Sequence, residues 1–284
     1  MDMQTAPSSS MDIHFSEFDF QLYRLCTESG KTIADVCRQA RVLGYTRVES
    51  SLERLRTPEF LEAVSAAGIR FTDIFFSPDL RVVSPDAVLE ELLRAVERTK
   101  APFAMAIPCE KDVPREKIYE TLRRFQKALA DIGCRLMMEP FDCKWGDTNE
   151  FVSYRTLAGI QTYLENVPGL LCCFDSGNFQ RGGTAWEEAA TALQGKIANV
   201  HLKDLRRDEL YAPLAKKSID GSLWSMAPVG CGELHLNECL RKFLRDNTTC
   251  TFALEYGVCR NLQEAHRLSI ANASAWLQEC LPAK

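Results

Sequence analysis

The chain predicts one α/β domain closed into an eight-stranded parallel barrel, (β/α)8. Apolar runs of strand length alternate with amphipathic stretches along almost the whole sequence, with no composition shift that would mark a linker. Eight strand candidates can be counted. The length of 284 residues suits a single barrel, which typically takes roughly 250.

The elements follow in order. Residues 1–12, with Pro7 and the serines Ser8, Ser9 and Ser10, read as a frayed tail, and residues 13–284 as the barrel domain. The first strand is expected at 18–26. A helix over 33–43 follows and stops at Gly44, where a left-handed cap is wanted. The second strand, 46–50, leads to a helix over 58–67 that ends at Gly68, and the third strand covers 70–76. Ser84-Pro85-Asp86 is a start signal for a helix whose apolar face is Val88, Leu89, Leu92, Leu93 and Val96. After the fourth strand, 103–108, Pro114 opens a helix carrying Ile118, Leu122, Phe125, Leu129 and Ile132, closed by Gly133. The fifth strand is expected at 134–141, with a helix over 151–164 and Gly169 behind it. The sixth strand, 170–175, precedes a helix over 186–193. The seventh, 198–203, is followed by an unusually long connection, 205–235, containing Pro228-Val229-Gly230-Cys231-Gly232. Long loops inside compact domains are usually functional, so this one is a candidate lid. A helix over 236–244, the eighth strand at 249–256 and a last helix over 262–277 complete the set.

Composition narrows the function. Apolar content of 46% and charge of 26% suit a soluble globular domain with a large core. A formal charge of -5 argues against a nucleic-acid surface, which needs clustered Lys and Arg to displace counterions. The 12 cysteines are scattered through strand and helix patterns with no Cys-x-x-Cys pair, as reduced core residues of a cytoplasmic protein would be. No signal peptide is expected in the first residues, and no apolar run is long enough for a membrane span.

Four segments carry the chemistry: Leu136-Met137-Met138-Glu139-Pro140, Cys172-Cys173-Phe174-Asp175-Ser176-Gly177-Asn178, Asn199-Val200-His201-Leu202-Lys203-Asp204 and Phe252-Ala253-Leu254-Glu255-Tyr256-Gly257. Each ends an apolar run with a residue able to bind metal. The positions fall at the carboxyl ends of strand candidates five to eight, the end where barrels hold their reactive groups. Two Glu, one Asp and one His form an oxygen-rich set suited to Mn²⁺, Mg²⁺ or Co²⁺, with Zn²⁺ possible. Lys203 shares the strand phase of His201, two residues away, so it is a candidate donor to a substrate oxygen. Asp204 would orient Lys203 or a nearby loop. Asn178 and Glu49 are further candidate substrate contacts, Glu49 at the end of the second strand, with a turn cap and a surface ion pair as their structural alternatives. Arg206, Arg207, Lys216 and Lys217 lie where barrels often hold phosphate, although solvation is the common fate of such a group. Cys172 and Cys173 are read as packing residues.

These motifs resemble the xylose-isomerase-like TIM barrels, a superfamily that includes ketose 3-epimerases, hydroxypyruvate isomerase, inosose dehydratase, 3-dehydroshikimate dehydratase and endonuclease IV. The resemblance runs through nearly the whole chain. It is carried by the Glu-Pro at Glu139, Asp-x-Gly-Asn at Asp175, His-x-Lys-Asp at His201, Pro-x-Gly-x-Gly at Pro228 and the last-strand Glu255. Gln21-Leu22-Tyr23 and Gly44-Tyr45-x-x-Val48-Glu49 look like the opening of bacterial sugar phosphate isomerase or epimerase members. The resemblance implies that Glu139, Asp175, His201 and Glu255 ligate one divalent ion and that Glu139 and Glu255 flank the substrate carbon as a proton-transferring pair. It also implies that Arg207 contacts substrate. Two positions depart from the pattern: Asn178 stands where many members have His, and Trp145 where the epimerases tend to be acidic.

A divalent ion on a ketone and its neighbouring hydroxyl would stabilise the enediolate formed on proton removal. Returning the proton to the opposite face makes an epimerase, and to the neighbouring carbon an isomerase. Loss of a β-hydroxyl makes a dehydratase of the inosose, 3-dehydroshikimate or 3-keto sugar type. The leading expectation is an isomerase or epimerase of a small sugar or keto sugar, with the dehydratase as the alternative. The three-zinc arrangement of endonuclease IV needs several histidines, and the chain has only His14, His201, His235 and His266. Self-association into a homo-oligomer is expected from the resemblance.

Overall fold

The computed structural model describes residues 13–81, 83–141, 152–207, 215–246 and 251–280. The expected tail at 1–12, Trp145 and the first residues of the 249–256 strand lie outside them. Eight parallel strands close in the order β1-β11-β7-β6-β5-β4-β3-β2. They are β1 (His14–Phe18), β2 (Arg47–Ser51), β3 (Arg70–Phe76), β4 (Phe103–Ala106), β5 (Arg135–Met138), β6 (Leu171–Asp175), β7 (Ile197–Leu202) and β11 (Thr251–Leu254). The single TIM barrel predicted from the sequence is therefore the observed fold.

The first element is a correction. Strand β1 ends at Phe18, and Asp19–Ser29, most of the stretch expected to be extended, is helix α1. Leu22 and Leu25 lie three residues apart and fall with Asp19 on one buried helical face, while Gly30 at φ 68° ends the helix in a left-handed turn. The strand is the preceding His14-Phe15-Ser16-Glu17-Phe18, which pairs with β11 (Ser16 opposite Ala253) and with β2 (Phe18 opposite Glu49). A run with buried residues on both faces lacks the alternation that marks a half-buried strand, so the helical stretch beside it drew the assignment.

The other helices fall close to where the periodicity put them: α2 (Ile33–Leu43), α3 (Pro58–Ala66), α4 (Pro85–Thr99), α5 (Arg115–Asp131), α6 (Leu157–Asn166), α8 (Trp186–Ala192), α9 (Leu236–Arg245) and α10 (Leu262–Cys280). The exception is α6, which starts six residues after the expected 151, with Ser153–Arg155 a separate 3-10 turn before it and residue 151 outside the described residues. Gly44, Gly68, Gly133 and Gly169 all have positive φ, as their cap positions require. One short helix not anticipated, α7 (Ser176–Arg181), starts directly after β6 and is capped by Asp175, whose carboxylate accepts the Asn178 N–H. Apolar side chains such as Leu92, Phe125, Leu136, Phe174 and Phe252 are fully buried between barrel and helices, each contributing on the order of 1.5–3 kcal/mol of transfer free energy.

The described residues of the candidate lid form an antiparallel sheet, β8-β10-β9, built from Asp204–Arg206, Leu223–Ala227 and Lys216–Lys217. Asp204 anchors its return. Its carboxylate accepts N–H groups from Leu205 at 3.0 Å, Gly230 and Gly232 at 2.9 Å each, and Leu234 at 3.3 Å. A side chain at position 232 would collide with that carboxylate. The Pro-x-Gly-x-Gly motif is thus a backbone wrapped around one acid, the loop-orienting role expected for Asp204.

All ten cysteines among the described residues are free thiols, most of them buried. Burial pushes Cys172, Cys173 and Cys239 upward in pKa, as befits inert packing residues. Among the described residues, no helix is long and apolar enough to cross a membrane.

Candidate active site and metal centre

Four neighbouring strands of the closed order, β5, β6, β7 and β11, deliver Glu139, Asp175, His201 and Glu255 to one end of the barrel. Asp175 is the last residue of β6 and pairs in register with His201 of β7, whose other neighbour in register is Ala253 of β11. Glu139 and Glu255 each sit one residue beyond their strand. One potential ligand atom from each of the four lies within 4.8 Å of all the others. Ligands sharing an ion at bond lengths of about 2.0–2.2 Å stand roughly 3–4 Å apart, so small side-chain rotations suffice. His201 Nδ1 is 3.0 Å from Glu139 Oε1 and 3.9 Å from Asp175 Oδ2. The Glu139, Asp175 and His201 side chains are buried, and Glu255, 14% exposed, is the one that opens toward solvent.

Lys203 closes the cluster. Its ammonium lies 2.6 Å from Asp175 Oδ2 and 2.8 Å from Glu255 Oε2, and it donates to Asn178 Oδ1 at 3.0 Å. The Asn178 amide in turn donates to Glu139 Oε1 at 3.1 Å. Asn178 therefore ties the Lys203 side to the Glu139 side. Gly177 makes this possible: a Cβ there would stand 2.6 Å from Lys203 Cγ.

Burial and charge set the protonation states. Burial dominates at Glu139 and raises its pKa to about 7, against the nearby His201. Glu255 is also raised by burial, with Lys203 opposing. At Asp175 the desolvation cost is outweighed by Lys203, which holds the carboxylate at about 2. Lys203 is likewise buried, yet Asp175 and Glu255 drive it above its ordinary value, so it keeps its proton. Burial would strip His201 of its charge, but Cys173, Glu49 and Glu139 around its ring move it upward. Once Glu139, Glu255 and His201 give up their protons, three carboxylates and a neutral imidazole with one resident ammonium form an anionic, mostly oxygen set. That chemistry fits a divalent cation.

Two expected site residues are elsewhere. Glu49, expected at the mouth, is fully buried in mid-strand on the far side of His201, with Oε2 2.9 Å from His201 Nε2. Strand β2 continues to Ser51, so position 49 is a layer below the rim. Arg207 is exposed outside the cluster. Its backbone N–H donates to Glu233 Oε1 at 2.7 Å, its Nε is 3.3 Å from Glu233 Oε2, and its guanidinium lies 4.8 Å from the Trp224 ring centroid.

Two residues escaped the sequence reading. Asn199, in the strand phase of His201 and Lys203, donates from Nδ2 to Glu49 Oε1 at 2.8 Å. Asp73 of β3 offers an oxygen within 4.8 Å of ligand atoms on Glu49 and His201. The β2–β3 register slips between Val48 and Glu49, leaving Thr72 as the extra residue and Asp73 opposite Glu49. Polar residues interrupting apolar strands were the available signal.

The chain matches the family described as xylose isomerase-like TIM barrel over residues 37–280. A comparison with the curated proteins found no match. Among solved structures, the probable 3-DHS dehydratase AsbF of Bacillus anthracis superposes with a TM-score of 0.70 at 15% identity, covering 92% of this chain and 99% of that one. A sugar phosphate isomerase/epimerase from Parabacteroides distasonis gives 0.67 at 13% identity, with coverages of 96% and 97%. A xylose isomerase-like TIM barrel protein from Mycobacterium smegmatis, in complex with magnesium, gives 0.65 at 15% identity, with coverages of 88% and 89%. At these identities the likeness is one of fold. With the match spanning most of its length, the chain belongs to the xylose isomerase-like TIM barrel family.

Proposed function

We propose that this protein is a divalent-metal-dependent isomerase or epimerase of a small sugar or keto sugar. The observation that carries the reading is the convergence of Glu139, Asp175, His201 and Glu255 within 4.8 Å, with Glu139 held at about 7. These four residues would hold one ion, Mn²⁺, Co²⁺, Mg²⁺ or Zn²⁺. When bound, such an ion supplies Lewis acidity toward substrate oxygens and a template for their orientation.

The chain's own groups account for the proton chemistry. A carboxyl that titrates near neutrality can both take and return a proton at working pH, the property wanted in a general base and acid. Glu139 has it. Glu255 stands across the cluster with an open edge, and Lys203 Nζ at 2.8 Å holds it in place. One carboxylate removes the proton beside the substrate carbonyl and the other delivers one to the opposite face or the adjoining carbon. Lys203, charged at any working pH, holds Asp175, Glu255 and Asn178 with its three N–H groups and would reach a substrate oxygen only by releasing one of them. Asn178 holds Glu139 and Lys203 in relation to each other and is a polar contact for a substrate hydroxyl.

The test is proton NMR in D₂O with Mg²⁺-loaded enzyme, a panel of ketohexoses, ketopentoses, their phosphates, inososes, 3-keto glycosides and dehydroshikimate, and a Glu139→Gln control. Deuterium uptake into a rearranged sugar, lost in the control, is the expected result. A dehydrated product alone would replace the isomerase reading with the lyase alternative that the fold likeness to AsbF accommodates.

A further inference from the structure

We infer that Glu49, held by Asn199, is a positioning residue that fixes the ring orientation and tautomer of His201, presenting Nδ1 to the ion. The inference rests on the reading of His201 as a metal ligand. The two ring nitrogens of His201 face different neighbours. Nδ1 faces the acids of the upper cluster, 3.0 Å from Glu139 and 3.9 Å from Asp175. Nε2 faces down into the barrel, 2.9 Å from Glu49 Oε2 and 3.0 Å from Cys173 Sγ. A neutral imidazole has one N–H, and a carboxylate is a far stronger acceptor than a thiol. Nδ1 points at Glu139 and Asp175, the acids that would share the ion, so with the ion bound the one proton belongs on Nε2, donated to Glu49, and the Nδ1 lone pair is free for the ion.

Glu49 is itself held. Its Oε1 accepts the Asn199 amide at 2.8 Å, and both residues are fully buried. Asn199 and His201 alternate on one strand, so the brace and the ligand share a single rigid element. Phe18 completes the packing, its ring edge-on to the His201 imidazole with centroids 5.1 Å apart. A carboxylate with both oxygens engaged inside the barrel, and no exposed surface, has nothing to offer a substrate at the mouth.

Asp73 defines the rival account. It is fully buried beside Glu49, to which its carboxyl is hydrogen-bonded. Glu49, Asp73 and His201 offer ligand atoms within 4.8 Å of one another, so a second ion below the first is the competing use of the same groups. Such an ion would take Nε2 as well as Nδ1, forcing the imidazole to lose both protons in an enclosed layer. A single proton on Nε2 avoids that.

The experiment is Mn²⁺ titration calorimetry and Zn²⁺-loaded ¹⁵N-histidine NMR on wild type, Glu49→Ala, Glu49→Gln and Asp73→Asn, with the His201 signal assigned by a His201→Gln variant. The expected results are one ion per chain, an Nε2–H tautomer with Nδ1 bound in wild type, and Mn²⁺ affinity lowered about 10–100-fold in Glu49→Ala. Glu49→Gln, which keeps an acceptor, recovers most of that loss. Wild-type affinity in Glu49→Ala, or an Nδ1–H tautomer in the loaded wild type, overturns the inference and leaves the metal site intact. Two ions per chain, falling to one in Asp73→Asn, overturns it in favour of the second site. Failure of wild type to bind any divalent ion instead removes the proposed function on which the inference stands.

Discussion

Ion binding at this site should be strongly linked to pH, and the structure says by how much. In the ion-free protein burial places Glu139 at about 7, and the groups around His201 hold it above its ordinary value. Asp175 at about 2 is already ionised. At pH 6 Glu139 is about nine-tenths protonated, so ion binding releases about one proton from it, with His201 adding to the release. At pH 8 the share from Glu139 falls to about a tenth. Over that range Glu139 alone lowers affinity about tenfold from pH 8 to 6, or about 1.4 kcal/mol, and the upward shift of His201 acts in the same direction. The assay is Mn²⁺ titration calorimetry under inert gas in two buffers of unequal ionisation heat. In Glu139→Gln the release at pH 6 should fall by about one proton. Affinity independent of pH between 6 and 8, or release below about half a proton at pH 6, refutes the reasoning. Stability follows with a definite sign. A raised carboxyl stabilises the fold fully below its ordinary pKa and loses that contribution as pH climbs through about 7. The Tm increment given by Mn²⁺ should therefore grow from pH 6 to pH 8.

Three substitutions probe the neighbouring parts. Lys203→Met strands Asp175 and Glu255 without their buried cation and should cost about 3–5 kcal/mol of ion-free stability, with a larger Mn²⁺-induced rise in Tm than wild type; equal increments in thermal melts would count against the charge argument. Gly177→Ala drives a methyl to 2.6 Å from Lys203 Cγ and should lower stability by about 1–3 kcal/mol and kcat by at least about tenfold, whereas a silent variant would mean that α7 shifts freely. Asp204→Ala removes the acceptor of four loop N–H groups. It should cost about 2–4 kcal/mol in urea unfolding and speed hydrogen exchange at Gly230 and Gly232, and unchanged exchange would show that the loop holds its shape unaided.

What the sequence made legible was whatever repeats or ends an apolar run. The helices α2 to α6 announce themselves through 3.6-residue periodicity and glycine stops, and the four metal-binding candidates through acids and a histidine closing strand-length segments. β1 was misplaced because both of its faces are buried, which removes alternation, and because α1 follows without a turn signal. α7 was missed since six residues are too few to show a period. Glu49 was read at a strand end, although a strand's last residue depends on how far its partners continue, here to Ser51. Asp73 and Asn199 acquire meaning only through closure, which sets β2 and β3 across the barrel from β7. A chain read linearly has no such distance in it. Arg207 was placed in the site by its offset from His201, which counts residues and cannot show that Glu233 and the Trp224 ring engage its side chain.

The closed order of strands also divides the ring into two arcs. β11, β7, β6 and β5 form one unbroken arc and provide every group that would grip the ion, while β1, β2, β3 and β4 form the other. Among the described residues, the second arc meets the ion-facing residues from inside the barrel, through Glu49, the neighbouring Asp73 and the edge of Phe18. Its loops are therefore uncommitted to the ion. Chemistry and selectivity can drift separately in such a scaffold: exchanging the segments that follow β1 to β4 should alter which sugar is accepted while the reactive arc stays unchanged. A designer seeking a new substrate would begin on that side of the mouth.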